Sequence, residues 1–227
     1  MGSDRQVWQG SRITLPLRLQ KAAGDDEALA RVADVKFALD QFLKSSTAAL
    51  IDEQHLIIAG HSYGANTAML IAGAEVERNH QRIQLHDPRF SAAILISAPP
   101  FYSDQALDDI LAKVKIPSLH ITTTKDEIKV PGFYSAPEDR LTLFNAIASD
   151  YKLLAVFYGG SHNIFTGRRQ RPELNTQNQV IKAATQSLSL AFIQQGFSGR
   201  EHAIKEWQSQ HQTLLADYKT VGNSEKY

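Results

Sequence analysis

The sequence predicts an α/β fold: a mostly parallel sheet with helices on both faces. Three observations carry that expectation. The candidate strands, at 55–60, 92–97, 118–123 and 153–158, are continuous apolar runs rather than alternating ones, as suits strands buried on both faces. Stretches of helical period separate them. The chain has 227 residues, 43% of them hydrophobic and 21% charged, which is enough for one sizeable core. A single domain over 1–227 is expected.

Each element follows from its residues in turn. Residues 1–24 are irregular, with a short candidate strand at 12–17. Asp25 or Asp26 caps a helix over 27–44, whose inner stripe is Leu29, Val32, Val35, Leu39 and Phe42. The first buried strand, 55–60, leads into a helix over 64–78, Ala-rich at its start and charged at its end. The second strand stops at Pro99-Pro100, and a short helix is expected over 104–114. The third strand is followed by a helix over 137–149. The fourth ends in Gly159-Gly160. A long helix covers 174–195, with Gly196 as its stop. A last helix is expected over 200–218, with Ile204, Trp207, His211, Leu214 and Tyr218 on one face. Residues 220–227 are polar and expected to fray.

Composition narrows the function. Lys plus Arg and Asp plus Glu both number 24, and no long basic stripe exists, which disfavours nucleic-acid binding. The cluster Arg168-Arg169-Gln170-Arg171 reads as a solvated loop. The absence of cysteine excludes disulfides, a thiol nucleophile and cysteine-ligated metal, and leaves the compartment open. No apolar run approaches a membrane span, and the N-terminus carries no signal-peptide core. No pair of histidines has zinc-ligand spacing around a carboxylate, so neither a metal nor a cofactor is expected.

The chemistry gathers at the ends of the strands, where parallel sheets place their sites. After the first strand comes Gly60-His61-Ser62-Tyr63-Gly64, followed by a helix. G-x-S-x-G between strand and helix is a nucleophile elbow. A serine hydroxyl is a weak nucleophile, so it must be exposed, near a base and beside amides that hold an oxyanion. Both glycines are expected to relieve crowding in the turn. After the third strand comes Thr124-Lys125-Asp126-Glu127, and after the fourth Gly160-Ser161-His162-Asn163. The order Ser, Asp, His at successive strand ends assigns Ser62 as nucleophile, His162 as general base and Asp126 as the acid that orients it. Glu127 is the rival acid; Asp126 is preferred because it comes first after the strand. The backbone N–H of Tyr63 is the expected oxyanion donor. His61 is expected to brace the turn, and His120, inside a strand, to be a satisfied core histidine. Phe101, Tyr102, Phe133, Tyr134 and Phe165 follow strand ends or His162 and are candidate pocket residues.

These motifs resemble the α/β-hydrolases. Arg31-Val32-Ala33-Asp34-Val35 with Leu39-Asp40, and Ser161-His162-Asn163-Ile164-Phe165, resemble the dienelactone-hydrolase-like and platelet-activating-factor-acetylhydrolase-like branch over about 25–195. The resemblance implies cleavage of a small-molecule carboxylic ester through an acyl-enzyme. The same three residues would also serve a thioesterase, an acyltransferase or a peptidase. It further implies about four strands before the elbow and a His-Gly loop giving a second oxyanion donor. Only 59 residues precede Gly60, and they hold neither. The expectation is therefore an N-terminally truncated fold, the C-terminal portion of an α/β-hydrolase domain. Its strand at 55–60 would become an apolar edge open to homodimerisation. Loss of the second donor also leaves a non-catalytic hydrolase-like protein as an alternative.

Overall fold

The computed structural model describes residues 11–14, 17–18, 24–130, 132–166 and 175–222. The stretch expected as a strand at 12–17 lies partly outside them, and its described start, Arg12–Thr14, is a 3-10 turn. The basic cluster at 168–171 also lies outside.

Helix α1, Asp25–Leu43, opens on Asp25, Asp26 and Glu27, whose charges suit the positive end of its dipole. Val32 is buried and Val35 and Leu39 lean on the core, whereas Phe42, expected on that stripe, is 54% exposed. Strand β1, Leu56–His61, passes through Ser62 into helix α2, Tyr63–Ala72. Every residue of α2 from Ala65 to Ala72 is buried, as befits a helix covered on all sides.

α2 ends six residues earlier than the expected 78. Gly73 stops it at a φ of 120°, with the Lys113 carbonyl oxygen 2.6 Å from where a Cβ would stand. An antiparallel hairpin follows, β2 (Glu75–Arg78) and β3 (Gln81–Gln84). Asn79 and His80 turn it with φ of 52° and 60°, as a two-residue type I′ turn requires. Then come β4, Phe90–Ile96, helix α3, Leu107–Leu111, and β5, Ser118–Lys125. A second small hairpin, β6 (Ile128–Val130) and β7 (Phe133–Ser135), precedes helix α4, Glu138–Ala146. Strand β8, Lys152–Ser161, runs into a 3-10 turn, His162–Phe165. Helices α5, Asn175–Phe197, and α6, Ala203–His211, lead through the turn Gln212–Leu214 to β9, Leu215–Val221.

The five-stranded sheet has the order β1-β4-β5-β8-β9 among the described residues. β1, β4, β5 and β8 are parallel, and β9 is antiparallel to β8. Side chains of one strand point alternately to two cores. Ala93 and Leu95 of β4 join the core under α1 and α2, while Ala92 and Ile94 join the core under α5 and α6. That double burial is why the strands read as unbroken apolar runs.

β9 replaces the end of the helix expected over 200–218. Trp207, His211, Leu214 and Tyr218 recur at helical spacing, but the open edge of β8 offers a full ladder of backbone partners. Thr220 and Val221, expected to fray, pair with Leu153 and Lys152.

Candidate active site

The elbow is shaped by backbone geometry. Ser62 sits at φ 56°, ψ −127°, a region that L-residues avoid, and its N–H donates to the Ile96 carbonyl oxygen of β4 at 2.9 Å. Gly60 is sterically required, because a Cβ would stand 2.1 Å from the Gly64 carbonyl oxygen. Gly64 is not: nothing lies within 4 Å of where its Cβ would stand. The expectation that both glycines relieve crowding therefore holds for Gly60 alone.

His162 arrives from the far end of β8. Gly159 and Gly160 take φ of 75° and 71°, which lets the strand curl into the 3-10 turn that carries the ring. Thr123 and Thr124, at the end of β5, fasten that curl. Thr123 Oγ1 donates to the Gly160 carbonyl oxygen at 2.6 Å, and the Gly159 N–H donates to Thr124 Oγ1 at 2.9 Å.

The three side chains meet in one line. His162 Nδ1 lies 2.7 Å from Asp126 Oδ1, and His162 Nε2 lies 2.7 Å from Ser62 Oγ. An ionised carboxylate only accepts, so Nδ1 carries the ring proton and Nε2 is left to accept from the serine hydroxyl. Asp126 is fully buried. Thr122 Oγ1 donates to its Oδ2 at 2.7 Å, and Arg140 Nη2 donates to its Oδ1 at 3.2 Å. Burial alone would raise the Asp126 carboxyl, but the hydrogen bond from His162 and the Arg140 charge overcome it and hold it well below the usual carboxylate range. Glu127 turns away to an exposed pair with Lys129.

Arg140 escaped the sequence reading. It is 3% exposed on α4, and its guanidinium also binds Ser135 Oγ and, at 2.8 Å, the Ala136 carbonyl oxygen. Nothing in its spacing links it to Asp126, fourteen residues earlier in the chain. The β6–β7 hairpin between them was also missed, although Gly132 with φ of 84° marks its turn.

His61 Nε2 donates to the His162 carbonyl oxygen at 3.1 Å, and its ring lies 4.9 Å from the His162 ring. It thus ties the elbow to the histidine turn. Burial pushes His120 down to about 3, and its Nε2 lies 3.1 Å from Ser118 Oγ. Of the candidate pocket residues, Phe101, Tyr102 and Phe133 line a cleft of about 270 Å³ that Tyr63 also lines. Tyr102 and Phe133 meet edge to face at 5.1 Å. Tyr134 is 60% exposed and stands outside that lining, and Phe165 packs near His61 at 5.9 Å. Among the described residues no group of three or more His, Cys, Asp or Glu could hold a metal ion, and no helix is long and apolar enough to cross a membrane.

A mostly parallel sheet, an elbow between β1 and α2, and Ser, Asp and His in that order at strand ends together define a fold of the α/β-hydrolase type. No protein-family model matches the chain, and no curated protein is detectably similar. Solved structures similar to it include a puromycin hydrolase, 15% identical with a TM-score of 0.47 over 72% of this chain and 25% of that one. Another is a cold-adapted esterase from an Arctic intertidal metagenomic library, 17% identical with a TM-score of 0.44 over 76% of this chain and 64% of that one. The chain thus spans a quarter of one and less than two thirds of the other, and likenesses this distant carry no argument about activity.

Proposed function

We propose that this chain is a serine hydrolase that cleaves carboxylic esters through an acyl-enzyme, with Ser62, His162 and Asp126 as its catalytic residues. The observation that carries the reading is the unbroken hydrogen-bonded line Ser62–His162–Asp126, at 2.7 Å for each link.

In this reading His162 Nε2 takes the Ser62 proton as Oγ attacks the acyl carbon, and Asp126 stabilises the imidazolium so formed. The backbone N–H of Tyr63 donates to the developing oxyanion. The tetrahedral adduct collapses, the bond to the leaving oxygen breaks, and His162 returns its proton to the departing alcohol. Water then attacks the acyl-enzyme with His162 again as base, releasing the acid and restoring Ser62. Removing one oxyanion donor typically costs about 10²–10³ in kcat, which sets the scale of what the Tyr63 N–H contributes in this reading.

A fluorophosphonate probe is expected to label Ser62 in the full chain and to leave Ser62→Ala unlabelled. A folded sample with no labelling would overturn the reading. Parallel kinetics on ester, thioester and amide substrates of the same acyl group distinguish the esterase from a thioesterase or a peptidase.

A further inference from the structure

We propose that Arg140 is a positioning residue for this reaction: from α4 it supplies the fixed countercharge that keeps the buried Asp126 carboxylate charged and aimed at His162 Nδ1. The proposal rests on the reading of Ser62, His162 and Asp126 as catalytic residues.

Burial sets the problem. Asp126 is fully removed from water, where a lone carboxylate takes up a proton rather than stay charged. A protonated carboxyl would present its O–H to Nδ1. The ring proton would then sit on Nε2, which could no longer accept from Ser62. His162 cannot be the countercharge that prevents this, because its ring must be neutral to act as base.

Geometry supplies another. Arg140 Nη2 donates to Asp126 Oδ1 at 3.2 Å, the same oxygen that lies 2.7 Å from His162 Nδ1. Thr122 Oγ1 donates to Oδ2 at 2.7 Å, so β5, α4 and the His162 turn each hold the carboxylate. Arg140 is fixed in turn. Its Nη1 donates to Ser135 Oγ and, at 2.8 Å, to the Ala136 carbonyl oxygen. Ser135 Oγ and the Ala136 N–H both donate to Asp139 Oδ2, at 2.8 and 2.9 Å. A guanidinium keeps its charge across the working pH range.

No neighbouring group can take its place. Among the described residues, Arg140 is the one lysine or arginine within ion-pair distance of Asp126. Lys125, beside it on β5, is exposed, and Lys129 pairs with Glu127 at the surface. His61 of β1 stands against His162, with ring centres 4.9 Å apart. Tyr102, in the loop after β4, interacts with the Arg140 and Asp139 charges, and neither it nor Asp139 offers a cation. Removing Arg140 would therefore favour proton uptake by the Asp126–His162 pair, whichever member takes it up. The acid limb of reactivity must then move to higher pH.

The test is the second-order rate of fluorophosphonate labelling of Ser62 in the full chain from pH 4 to 9. Arg140→Gln keeps a donor and loses the charge, and is expected to move the acid limb up by about one pH unit or more. Arg140→Lys keeps the charge and is expected to recover most of that shift. A folded Arg140→Gln with an unmoved limb, or an Arg140→Lys shifted as far as Arg140→Gln, would overturn the proposal and leave the reading of the triad intact. Circular dichroism reports folding. If Arg140→Gln does not fold, the double variant Asp126→Asn with Arg140→Gln decides. Recovery of the fold supports the proposal, because an uncompensated Asp126 charge then caused the loss. A double variant that also fails to fold makes Arg140 a scaffold residue alone and overturns it. No labelling of the unsubstituted chain at any pH would sink both the proposal and the reading of Ser62.

Discussion

Ser62 is held where an L-residue is uncomfortable, and its neighbours hold it there. The strain, of order 1–3 kcal/mol, presents Oγ to His162 rather than to solvent. Ser62→Gly and Ser62→Ala both remove the hydroxyl, but only glycine relaxes the backbone. Ser62→Gly is expected to be the more stable of the two by about 1 kcal/mol in chemical denaturation. Asp126 and Arg140 form the other critical pair, both almost wholly removed from water. Breaking a buried pair from one side typically costs about 3–5 kcal/mol, and Arg140→Leu is expected to lose that much. The pH dependence follows from sign. The folded-state carboxyl of Asp126 is depressed, so its contribution to stability is present above the ordinary carboxylate range and is lost as pH falls below about 4. Urea titrations between pH 6 and 2 are expected to show a steeper acid loss in the unsubstituted chain than in Asp126→Asn. Ser62, His162 and Asp126 were legible because each ends a recognisable strand. Arg140 was not, because a buried arginine is defined by what it meets, and the sequence does not say what meets it.

Among the elements, α2 and α4 show how a helix is fixed from outside its own sequence. At the start of α2 the two elbow glycines part company. Gly60→Ala drives a methyl into backbone and is expected to lose about 3 kcal/mol or more. Gly64→Ala has open space and a better helix former, and is expected to leave the melting temperature unchanged or higher by differential scanning fluorimetry. α4, which carries Arg140, is capped by a residue of the sheet. Lys152 Nζ donates to the carbonyl oxygens of Phe144, Asn145 and Ile147 at 2.6, 2.9 and 2.6 Å. Lys152→Met keeps the apolar stem but leaves those acceptors without their donor, at an expected cost of about 1–3 kcal/mol in chemical denaturation. The helix ends were less legible than the helices. Gly73 was available as a stop signal, but Glu75 and Arg78 continued a helix-compatible pattern, and only Val76 reaching the core pulls that stretch into a hairpin.

For the whole molecule, the sheet binds the C-terminal end of the described chain to the strand that leads into the site. β8 carries Gly159 and Gly160 into the His162 turn, and β9 covers its outer edge from Lys152 to Phe157. Trp207 Nε1 fastens the approach to β9 by donating to the Ala184 carbonyl oxygen and Ser187 Oγ on α5, at 3.0 and 2.9 Å. A chain cut after Leu214 would leave the β8 edge bare, and it is expected to aggregate in size-exclusion chromatography and to lose fluorophosphonate labelling. By itself the sequence determined the layered α/β class and the rank order of Ser62, Asp126 and His162, because burial on two faces and a turn between strand and helix leave marks in neighbouring residues. Only the tertiary structure decided β9, the two hairpins, the place of Arg140 and the cleft beside Tyr63. Each of these depends on a partner distant in the chain, and an edge ladder or a buried charge pair outweighs the weak local preference of the residues that form it.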